Sequence, residues 1–282
     1  MLCNEGSILT SRLQESIMNK ITMTTLKSMK QSGEKFTCLT AYDASFAMAQ
    51  EAAGVEVILV GDSLGMVIKG QASTLSVSMD DMVYHTKNVS RVCKKSFIMS
   101  DLPFAADINK EQTYMNAARL IAEGGAHMVK IEGGATMLES IRFLSERGLA
   151  VCSHLGLLPQ SVYKMGGYRI QGRTEEEAEK ILNDAIALEQ AGVDSILLEC
   201  VPVALATRIT EALTIPVIGI GAGAGCDAQV LVSYDVLGLT QGTPARFVKN
   251  FLHETHSIQE AFKCFVEQVK NGQFPAPEHT FN

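Results

Sequence analysis

Acidic residues stand at the ends of four short apolar segments that have the composition of buried β-strands. The four acids are Asp62, Asp101, Glu132 and Glu199, and three of the segments begin just after a glycine suited to ending a helix. The carboxyl ends of parallel strands meet at one edge of a sheet. We therefore expect these carboxylates to gather in one polar cluster, and that cluster is the first place to look for chemistry.

The segment that ends at Glu132 carries a second charge, the lysine at position 130. Side chains alternate between the two faces of a strand, so Lys130 and Glu132 point to one face and Ile131 to the other. An ammonium and a carboxylate in an apolar setting are costly unless they share a partner such as a metal ion or an anion. This pair therefore predicts a site for a charged ligand.

Eight apolar segments alternate with helical segments along the chain, without a linker-like change of composition. This alternation predicts an α/β fold with a parallel sheet, and eight units at this length favour a single-domain (β/α)8 TIM barrel. A doubly wound open sheet is the alternative, but no dinucleotide-binding motif follows the first segment. The predicted strands are Phe36–Ala41, Val57–Val60, Ser96–Ser100, a segment ending at Glu132, Leu149–Ser153, a segment ending at Glu199, Pro216–Ile220 and, after a helix over Asp227–Val232, Val236–Leu239.

Local signals predict where several helices begin and end. Ser78 with Asp81, and Thr174 with Glu177, have the spacing of capping boxes, in which two side chains satisfy the first free N–H groups of a helix. Gly54 is a natural helix stop. These signals support the alternation of helices with strands.

Composition and charge limit the classes of partner. The chain has 282 residues, 46% of them apolar and 20% charged, which is ordinary for a globular protein. A formal charge of -7 argues against nucleic acid or an anionic membrane as a partner. No apolar run approaches the ~20 residues of a membrane span. The seven cysteines include no Cys-x-x-Cys pair, which favours reduced thiols in a cytoplasmic protein.

Residues 1–22 are interpreted as a leader, separate from a catalytic domain over residues 23–282. The leader lacks the long apolar core of a signal peptide, and Glu5 and Glu15 are unusual in a transit peptide. The segment from Leu9 to Ile21 fits an amphipathic helix. The methionine that follows the leader would equally serve as a second start and make the leader dispensable, and both interpretations stay open.

A TIM barrel has its active site at the C-terminal ends of its strands, so the four acids and His154 would face one mouth. Carboxylates held together raise one another's pKa unless a cation lies between them. Oxygen ligands without a Cys/His set favour Mg²⁺, which leaves positions for water and for a chelating substrate such as a 2-oxo acid. Against this, an acid at a strand end is often only a helix cap, and His154 is as often structural as catalytic.

Two other features carry less information. The glycine-rich loop Gly221–Gly225 is open to two interpretations, phosphate binding or tight packing at the barrel rim. The aromatic residues Tyr42, Phe104 and Tyr168 are interpreted as core or lid residues, on which a flat cofactor ring would stack. Neither feature fixes a function by itself.

Seven motifs follow one another from about Thr24 to the C-terminus. They are Val-Gly-Asp62-Ser-Leu-Gly-Met, Ser-Asp101-Leu-Pro-Phe, Met-Val-Lys130-Ile-Glu132-Gly-Gly, His154-Leu-Gly-Leu-Leu-Pro-Gln-Ser, Gly166-Gly-Tyr-Arg-Ile-Gln-Gly-Arg, Leu-Glu199-Cys-Val-Pro and Ile-Gly-Ile-Gly-Ala-Gly. Each motif alone is weak, but the ordered set resembles the ketopantoate hydroxymethyltransferase family. The chain departs from the family pattern at Ala228, where Gly is common, and in the leader, which has no counterpart.

The resemblance implies a (β/α)8 barrel that is usually a homodecamer. Such an enzyme makes 2-dehydropantoate from 3-methyl-2-oxobutanoate and 5,10-methylenetetrahydrofolate, on the route to pantothenate and coenzyme A. The resemblance implies that Glu199 is the base, which removes the C3 proton of the 2-oxo acid to give an enolate stabilised by Mg²⁺. It also implies His154 as an additional site residue. The ligands implied for Mg²⁺ are Asp62, Asp101 and Glu132, and those for the 2-oxo acid are Asp62, Ser63, Asp101 and Lys130.

Two other functions stay open on the residues alone. A related barrel, acting as a Mg²⁺-dependent carbon–carbon lyase or a phosphonomutase on a 2-oxo acid, would share the acids and the metal but need no folate. A barrel kept only as an interaction partner would lose no activity when Glu199 is replaced with Gln. Dependence of substrate consumption on folate separates the first alternative from hydroxymethyl transfer.

Overall fold

Eight parallel strands close into a barrel in the computed structural model, which describes residues 20–240 and 242–282. Each strand pairs with the next one along the chain, and β8 pairs with β1 to complete the circle. The predicted (β/α)8 barrel is therefore confirmed, and the open sheet is wrong. The strands are β1 Phe36–Thr40, β2 Val57–Val60, β3 Phe97–Asp101, β4 Met128–Glu132, β5 Val151–Gly156, β6 Ser195–Glu199, β7 Val217–Ile220 and β8 Ala228–Leu231.

Helices surround the barrel and connect its strands. The capping boxes at Ser78 and Thr174 are confirmed at the starts of α4 and α8, and Gly54 ends α2 with a left-handed φ of +94°. The helices are α1 Met23–Ser32, α2 Ala44–Ala53, α3 Leu64–Val67, α4 Met79–Ser90, α5 Lys110–Ala122, α6 Leu138–Ser145, α7 Val162–Met165, α8 Glu175–Gln190, α9 Val203–Ala212, α10 Ser233–Val236 and α11 Ile258–Lys270.

The sequence prediction of the eighth strand is wrong. The structure has β8 at Ala228–Leu231, inside the predicted helix Asp227–Val232, whereas the predicted strand Val236–Leu239 begins at the last residue of α10 and continues into a turn. Asp227 looks like a helix cap in the sequence. Its carboxylate instead accepts the Val217 N–H at 2.8 Å and pairs with Lys30 Nζ at 2.8 Å, which fixes the start of β8 beside β7.

The core lies between the barrel and its helices, and every residue of β1, β2 and β3 is buried. Helix α11 packs against α2, where Phe262 lies 6.1 Å from Phe46 between ring centroids, and both Phe262 and Phe265 are fully buried. None of the helices in the described part of the chain has the length and apolar character needed to cross a membrane. The predicted leader falls outside the described residues except for positions 20–22.

His127 connects two strands just before β4 begins. Its backbone N–H donates to the Ile98 carbonyl at 2.8 Å, and its ring Nδ1 accepts the Ile98 N–H at 2.9 Å. Burial, together with the charge of Lys20, lowers the pKa of His127 from 6.5 to about 4. The imidazole is therefore neutral in the folded protein near neutral pH, which leaves Nδ1 free to accept.

We expect His127 to make the fold less stable in mild acid. Above pH 6.5 the imidazole is neutral in both the folded and the unfolded protein. Below pH 6.5 the unfolded chain binds a proton, whereas the folded protein binds it only near pH 4. The free energy of unfolding therefore falls as the pH drops from 6.5 to about 4. In His127→Asn an acceptor remains but no group titrates, so its free energy of unfolding should fall less between about pH 7 and about pH 5. Urea unfolding at both pH values measures this, and parallel losses in the two proteins would contradict it.

Candidate functional site

The C-terminal ends of the strands open into one cavity of about 1080 Å³. The structure brings every sequence-predicted site residue to this mouth. The cavity is lined by Asp62, Ser63, Asp101, Lys130, Glu132, His154 and Glu199. Residues that are far apart in the sequence therefore share one site.

Strand register explains why these side chains meet. Asp101 is the partner of Lys130 between β3 and β4, and Glu132 is the partner of His154 between β4 and β5. Lys130 and Glu132 are two residues apart on β4, so both point to the same face, while the fully buried Ile131 points to the other. The ladder of the barrel thus places one cation and several acids at the same level.

Lys130 and Asp101 form a buried ion pair. The distance from Lys130 Nζ to Asp101 Oδ1 is 3.1 Å, and the two side chains are only 5% and 4% exposed. Burial alone would lower the pKa of Lys130, but the charges of Asp101, Glu132 and Asp62 outweigh burial and hold this pKa above its ordinary value. Lys130 is therefore a fixed positive charge at the base of the mouth.

Asp62 and Asp101 are close enough to disfavour ionisation of both. The backbone N–H of Asp62 donates to Asp101 Oδ2 at 3.0 Å. Burial, and then the negative charge of Asp101, raise the pKa of Asp62 well above its ordinary value. Burial likewise raises the pKa of Asp101, although Lys130 opposes this. A cation bound between the two carboxylates would lower both pKa values again, and the predicted cation site stays a prediction.

His154 lies between two acids. Its Nδ1 is 3.5 Å from Glu132 Oε1, and its Nε2 is 3.3 Å from Glu199 Oε2. Burial and the charge of Lys130 would lower the pKa of His154, but its contacts with the two glutamates outweigh them and raise it. The imidazole thereby links Glu199 to Glu132, which lies on the same face of β4 as Lys130.

Sequence reasoning missed Gln160, which fastens the rim of the mouth. Its side-chain Nε2 donates to Asp62 Oδ2 at 2.8 Å and to the Leu102 carbonyl at 2.9 Å. Its backbone N–H donates to Glu132 Oε2 at 3.0 Å. No local signal in the sequence marks Gln160, because the residues that it contacts lie at or just after the ends of β2, β3 and β4.

Tyr42 is buried, as the core interpretation predicts, but it also touches the site. Its hydroxyl lies 2.9 Å from Ser63 Oγ, and its carbonyl meets His85 Nδ1 at 2.7 Å. Phe104 and Tyr168 are exposed instead, and Tyr168 lines the cavity. The Ser63 hydroxyl, at the start of α3, is thereby oriented by Tyr42, which lies just after β1.

The glycine-rich loop after β7 is explained by packing. A Cβ at Gly221, whose φ is +59°, would lie 2.9 Å from Phe247 Cδ1 and 3.0 Å from Phe281 Cε2. A Cβ at Gly223 would lie 2.9 Å from Val203 Cγ2. The loop therefore lets the C-terminal segment and α9 approach the barrel rim, in agreement with the packing interpretation.

The acids of the mouth do not form a ready-made metal centre. Among residues 20–240 and 242–282, no three His, Cys, Asp or Glu side chains stand in ligating positions around one point. Glu132 already accepts the Gln160 N–H and meets His154, whereas Asp101 Oδ1 is buried and accepts no hydrogen bond beyond its ion pair with Lys130. The predicted three-carboxylate ligand set stays a prediction.

Sequence comparison identifies close relatives. The profile of the ketopantoate hydroxymethyltransferase family matches residues 20–277. The 3-methyl-2-oxobutanoate hydroxymethyltransferase of Nitrosococcus oceani is 56% identical over 264 residues, which are 94% of this chain and 100% of the relative. The enzyme of the same name from Nitrosospira multiformis is 54% identical over 93% of this chain and 100% of the relative.

Solved structures share the fold at much lower identity. Phosphoenolpyruvate phosphomutase from Streptomyces platensis has a TM-score of 0.59 at 13% identity, covering 77% of this chain and 82% of its own. Phosphonopyruvate hydrolase in complex with oxalate and Mg²⁺ has a TM-score of 0.57 at 13% identity, covering 91% and 92%. At this identity the likeness concerns the barrel fold alone.

We expect Lys130→Met to destabilise the protein, because it leaves buried carboxylates without their cation. The free energy of unfolding should fall by about 3 kcal/mol, as when one partner of a buried pair is removed. Adding Asp101→Asn should restore part of the loss, since the orphaned charge is then gone. Urea unfolding of both variants measures this, with Lys164→Met, at an exposed lysine, as the control. Additive losses in the double variant would refute the coupling.

Proposed function

The chain belongs to the ketopantoate hydroxymethyltransferase family, and on that premise we propose that its acidic barrel mouth is the site of the family's reaction. The activity is that of a 3-methyl-2-oxobutanoate hydroxymethyltransferase in pantothenate biosynthesis, with 5,10-methylenetetrahydrofolate as co-substrate. The observation that carries this function is 56% identity to an enzyme of that name over 94% of the chain. The lyase and phosphonomutase alternative has only fold likeness in its favour.

The 2-oxo acid binds beside Lys130, with Asp62, Ser63 and Asp101 around it. Lys130 is the only positively charged side chain among these four residues, and its raised pKa keeps it protonated. It therefore attracts both the substrate carboxylate and the 2-oxo oxygen. Ser63 offers a hydroxyl whose orientation is set by Tyr42. These contacts orient the substrate with its C3 hydrogen away from the floor.

A Mg²⁺ ion fits the chemistry of the same residues. Asp62 and Asp101 offer hard carboxylate oxygens, and the buried Asp101 Oδ1 is contacted only by the Lys130 ammonium, at 3.1 Å. Mg²⁺ is commonly held by one or two carboxylates together with substrate oxygens and water. Glu132 adds negative charge beside this pair. When bound there, the ion would supply Lewis-acid polarisation of the 2-oxo group.

Glu199 is the base that takes the C3 proton. It ends β6, two strands along the barrel from Lys130 on β4, and its side chain is 14% exposed, so it reaches the cavity without being freely hydrated. His154, 3.3 Å from Glu199 Oε2, orients the carboxylate and links it to Glu132. As the proton leaves C3, negative charge develops on the 2-oxo oxygen, where the fixed charge of Lys130 stabilises it in a water-poor site. C3 then forms a bond to the methylene carbon as that carbon leaves the folate nitrogens N5 and N10, water supplies the hydroxyl group, and 2-dehydropantoate and tetrahydrofolate are the products.

We further propose that the barrels assemble into a homodecamer and work in the cytoplasm. Exposed apolar side chains on the outer helices, Met48, Tyr84 and Met115, offer surface that assembly would bury. The six cysteines of the described residues are free, in keeping with the reduced thiols of cytoplasmic proteins.

Replacing the base tests the mechanism. Glu199→Gln keeps the size of the side chain but removes the proton acceptor, so kcat should fall about 10²- to 10⁴-fold with little change in KM for 3-methyl-2-oxobutanoate. The readout is 2-dehydropantoate formation with and without methylenetetrahydrofolate, with Glu176→Gln on the exposed face of α8 as the control. A variant that keeps wild-type turnover would exclude Glu199 as the base, and folate-independent substrate loss would favour a lyase.

Metal binding is testable without turnover. Mg²⁺ should raise the melting temperature by about 3 °C or more near saturation, because the ion binds only the folded site and relieves the Asp62–Asp101 repulsion. The double variant Asp62→Asn with Asp101→Asn should lose this rise, while Glu111→Gln, at an exposed acid, should keep it. Thermal unfolding with Mg²⁺ and with a chelator measures the effect, and an equal rise in the double variant would rule out the site.

A further inference from the structure

The cavity is larger than the 2-oxo acid requires. Its volume of about 1080 Å³ is slightly above the roughly 300–1,000 Å³ typical of sites for drug-sized ligands. The acids and Lys130 occupy the floor, at the strand ends. The outer part is lined by side chains of other loops and of the C-terminal segment. A small 2-oxo acid held at the floor, as proposed, would leave this outer part unfilled.

Three arginines line the outer part of the cavity, and we call Arg169, Arg173 and Arg246 the arginine wall. In the part of the chain that the structure describes, none of the three forms an ion pair with an acid, whereas other arginines such as Arg119 and Arg208 do. All three are exposed at the rim. The Arg246 guanidinium donates only a long hydrogen bond, to the Thr280 carbonyl at 3.5 Å. Three guanidinium groups without a carboxylate partner among the described residues, around one opening, suit carboxylates or phosphates.

The loop that carries two of these arginines is anchored to the barrel. It runs between α7 and α8, and the Gln171 N–H donates to the Cys200 carbonyl, just after Glu199, at 2.9 Å. Thr174 and Glu177 close the capping box that follows. Arg169 and Arg173 therefore keep a defined position relative to the catalytic end of β6.

Aromatic rings stand beside the third arginine. Phe247 and Phe281 pack over Gly221 at the end of β7, and both line the cavity. Arg246 Cζ lies 5.6 Å from the centre of the Phe281 ring. The Phe281 carbonyl accepts the Val203 N–H at 2.9 Å, which holds the C-terminal segment against α9. The rim thus combines flat apolar surfaces with positive charge.

The co-substrate has the matching chemistry. In 5,10-methylenetetrahydrofolate the reactive methylene bridges N5 and N10, so it lies between the pterin and the p-aminobenzoylglutamate arm. The methylene must reach C3 of the 2-oxo acid at the floor, which directs the arm away from the acids. The arm consists of an aromatic ring followed by the carboxylates of glutamate. A ligand that extends from the floor out of the cavity would meet the aromatic rings and the arginines of the rim in the same order.

We propose that the arginine wall, with Phe247 and Phe281, binds the p-aminobenzoylglutamate arm of the folate co-substrate, the rings against its benzoyl group and the guanidinium groups against its carboxylates. This proposal rests on the proposed function of the mouth. The wall also offsets the acids of the floor and the formal charge of -7, which would otherwise repel two anionic substrates.

Charge-removing variants of the wall test the proposal. Arg169→Met, Arg173→Met and Arg246→Met each remove a charge but keep a long side chain, and Arg142→Met on the outside of α6 is the matched control. We expect each wall variant to raise KM for methylenetetrahydrofolate about five- to tenfold, with kcat and KM for 3-methyl-2-oxobutanoate within about twofold of wild type. The Arg→Lys variants should recover part of the affinity.

A ligand without the glutamate identifies the contact. The dissociation constant of tetrahydrofolate is compared with that of tetrahydropteroate, which lacks the glutamate, by calorimetry on wild type and on the triple Met variant. Wild type should prefer tetrahydrofolate about tenfold or more, and the triple variant should bind both equally. The same preference in both proteins, or unchanged KM for folate in all three single variants, would overturn the proposal.

Failure of the wider function looks different. A wild-type chain that binds tetrahydrofolate with the expected glutamate preference but forms no 2-dehydropantoate would overturn the assigned reaction and leave the arginine wall standing. A wild-type chain that forms 2-dehydropantoate but shows no glutamate preference would overturn the wall alone.

Discussion

The buried Lys130 ammonium is the charge around which the mouth of this barrel is organised. Three carboxylates, those of Asp62, Asp101 and Glu132, face the same water-poor space, and burial raises the pKa values of Asp62 and Asp101. Lys130 Nζ, 3.1 Å from Asp101, supplies one compensating charge but cannot balance three acids. Ionisation of all three acids would therefore leave an excess of negative charge, which a divalent cation would balance. With the proposed metal in place, its charge would offset this imbalance and would favour the anionic 2-oxo acid, so the two binding steps would be coupled by simple electrostatics.

The barrel supplies what this arrangement needs, because each strand end contributes at most two inward side chains. Parallel register sets Asp101 beside Lys130 and Glu132 beside His154, so the spacing between charges follows from the hydrogen-bond ladder rather than from flexible loops. Gln160 then fastens the ends of β2, β3 and β4 to one another with three hydrogen bonds. Rigid placement of this kind lets fixed charges act on a developing oxyanion without reorganisation.

Much of this was accessible from the sequence, and the limits have physical causes. The apolar segments ending in acids, the alternation at Lys130 and Glu132 and the capping boxes at Ser78 and Thr174 are local patterns, and the structure bears them out. β8 was misplaced because Ala-Gln-Val-Leu has no strong strand signature, and its pairing with Phe36–Leu39 appears only when the barrel closes. Gln160 was missed for the same reason, since its partners are distant in sequence. Whether Glu132 ligates a metal directly depends on side-chain geometry that no pattern encodes.

The likeness to phosphomutase and hydrolase barrels at 13% identity shows how little of the function resides in the fold. A ring of parallel strands offers one floor where charges can be fixed, and loops above it that vary independently. In this chain the floor is acidic around one lysine, whereas the rim includes Arg169, Arg173, Arg246 and two phenylalanines. Because the floor is acidic and the rim carries arginines, a long anionic ligand is expected to bind in one direction. Its anionic end is attracted to the rim, and only an uncharged or electrophilic part gains by approaching the acids. Chemistry at the strand ends and selection of the donor at the rim can therefore be separated by mutation.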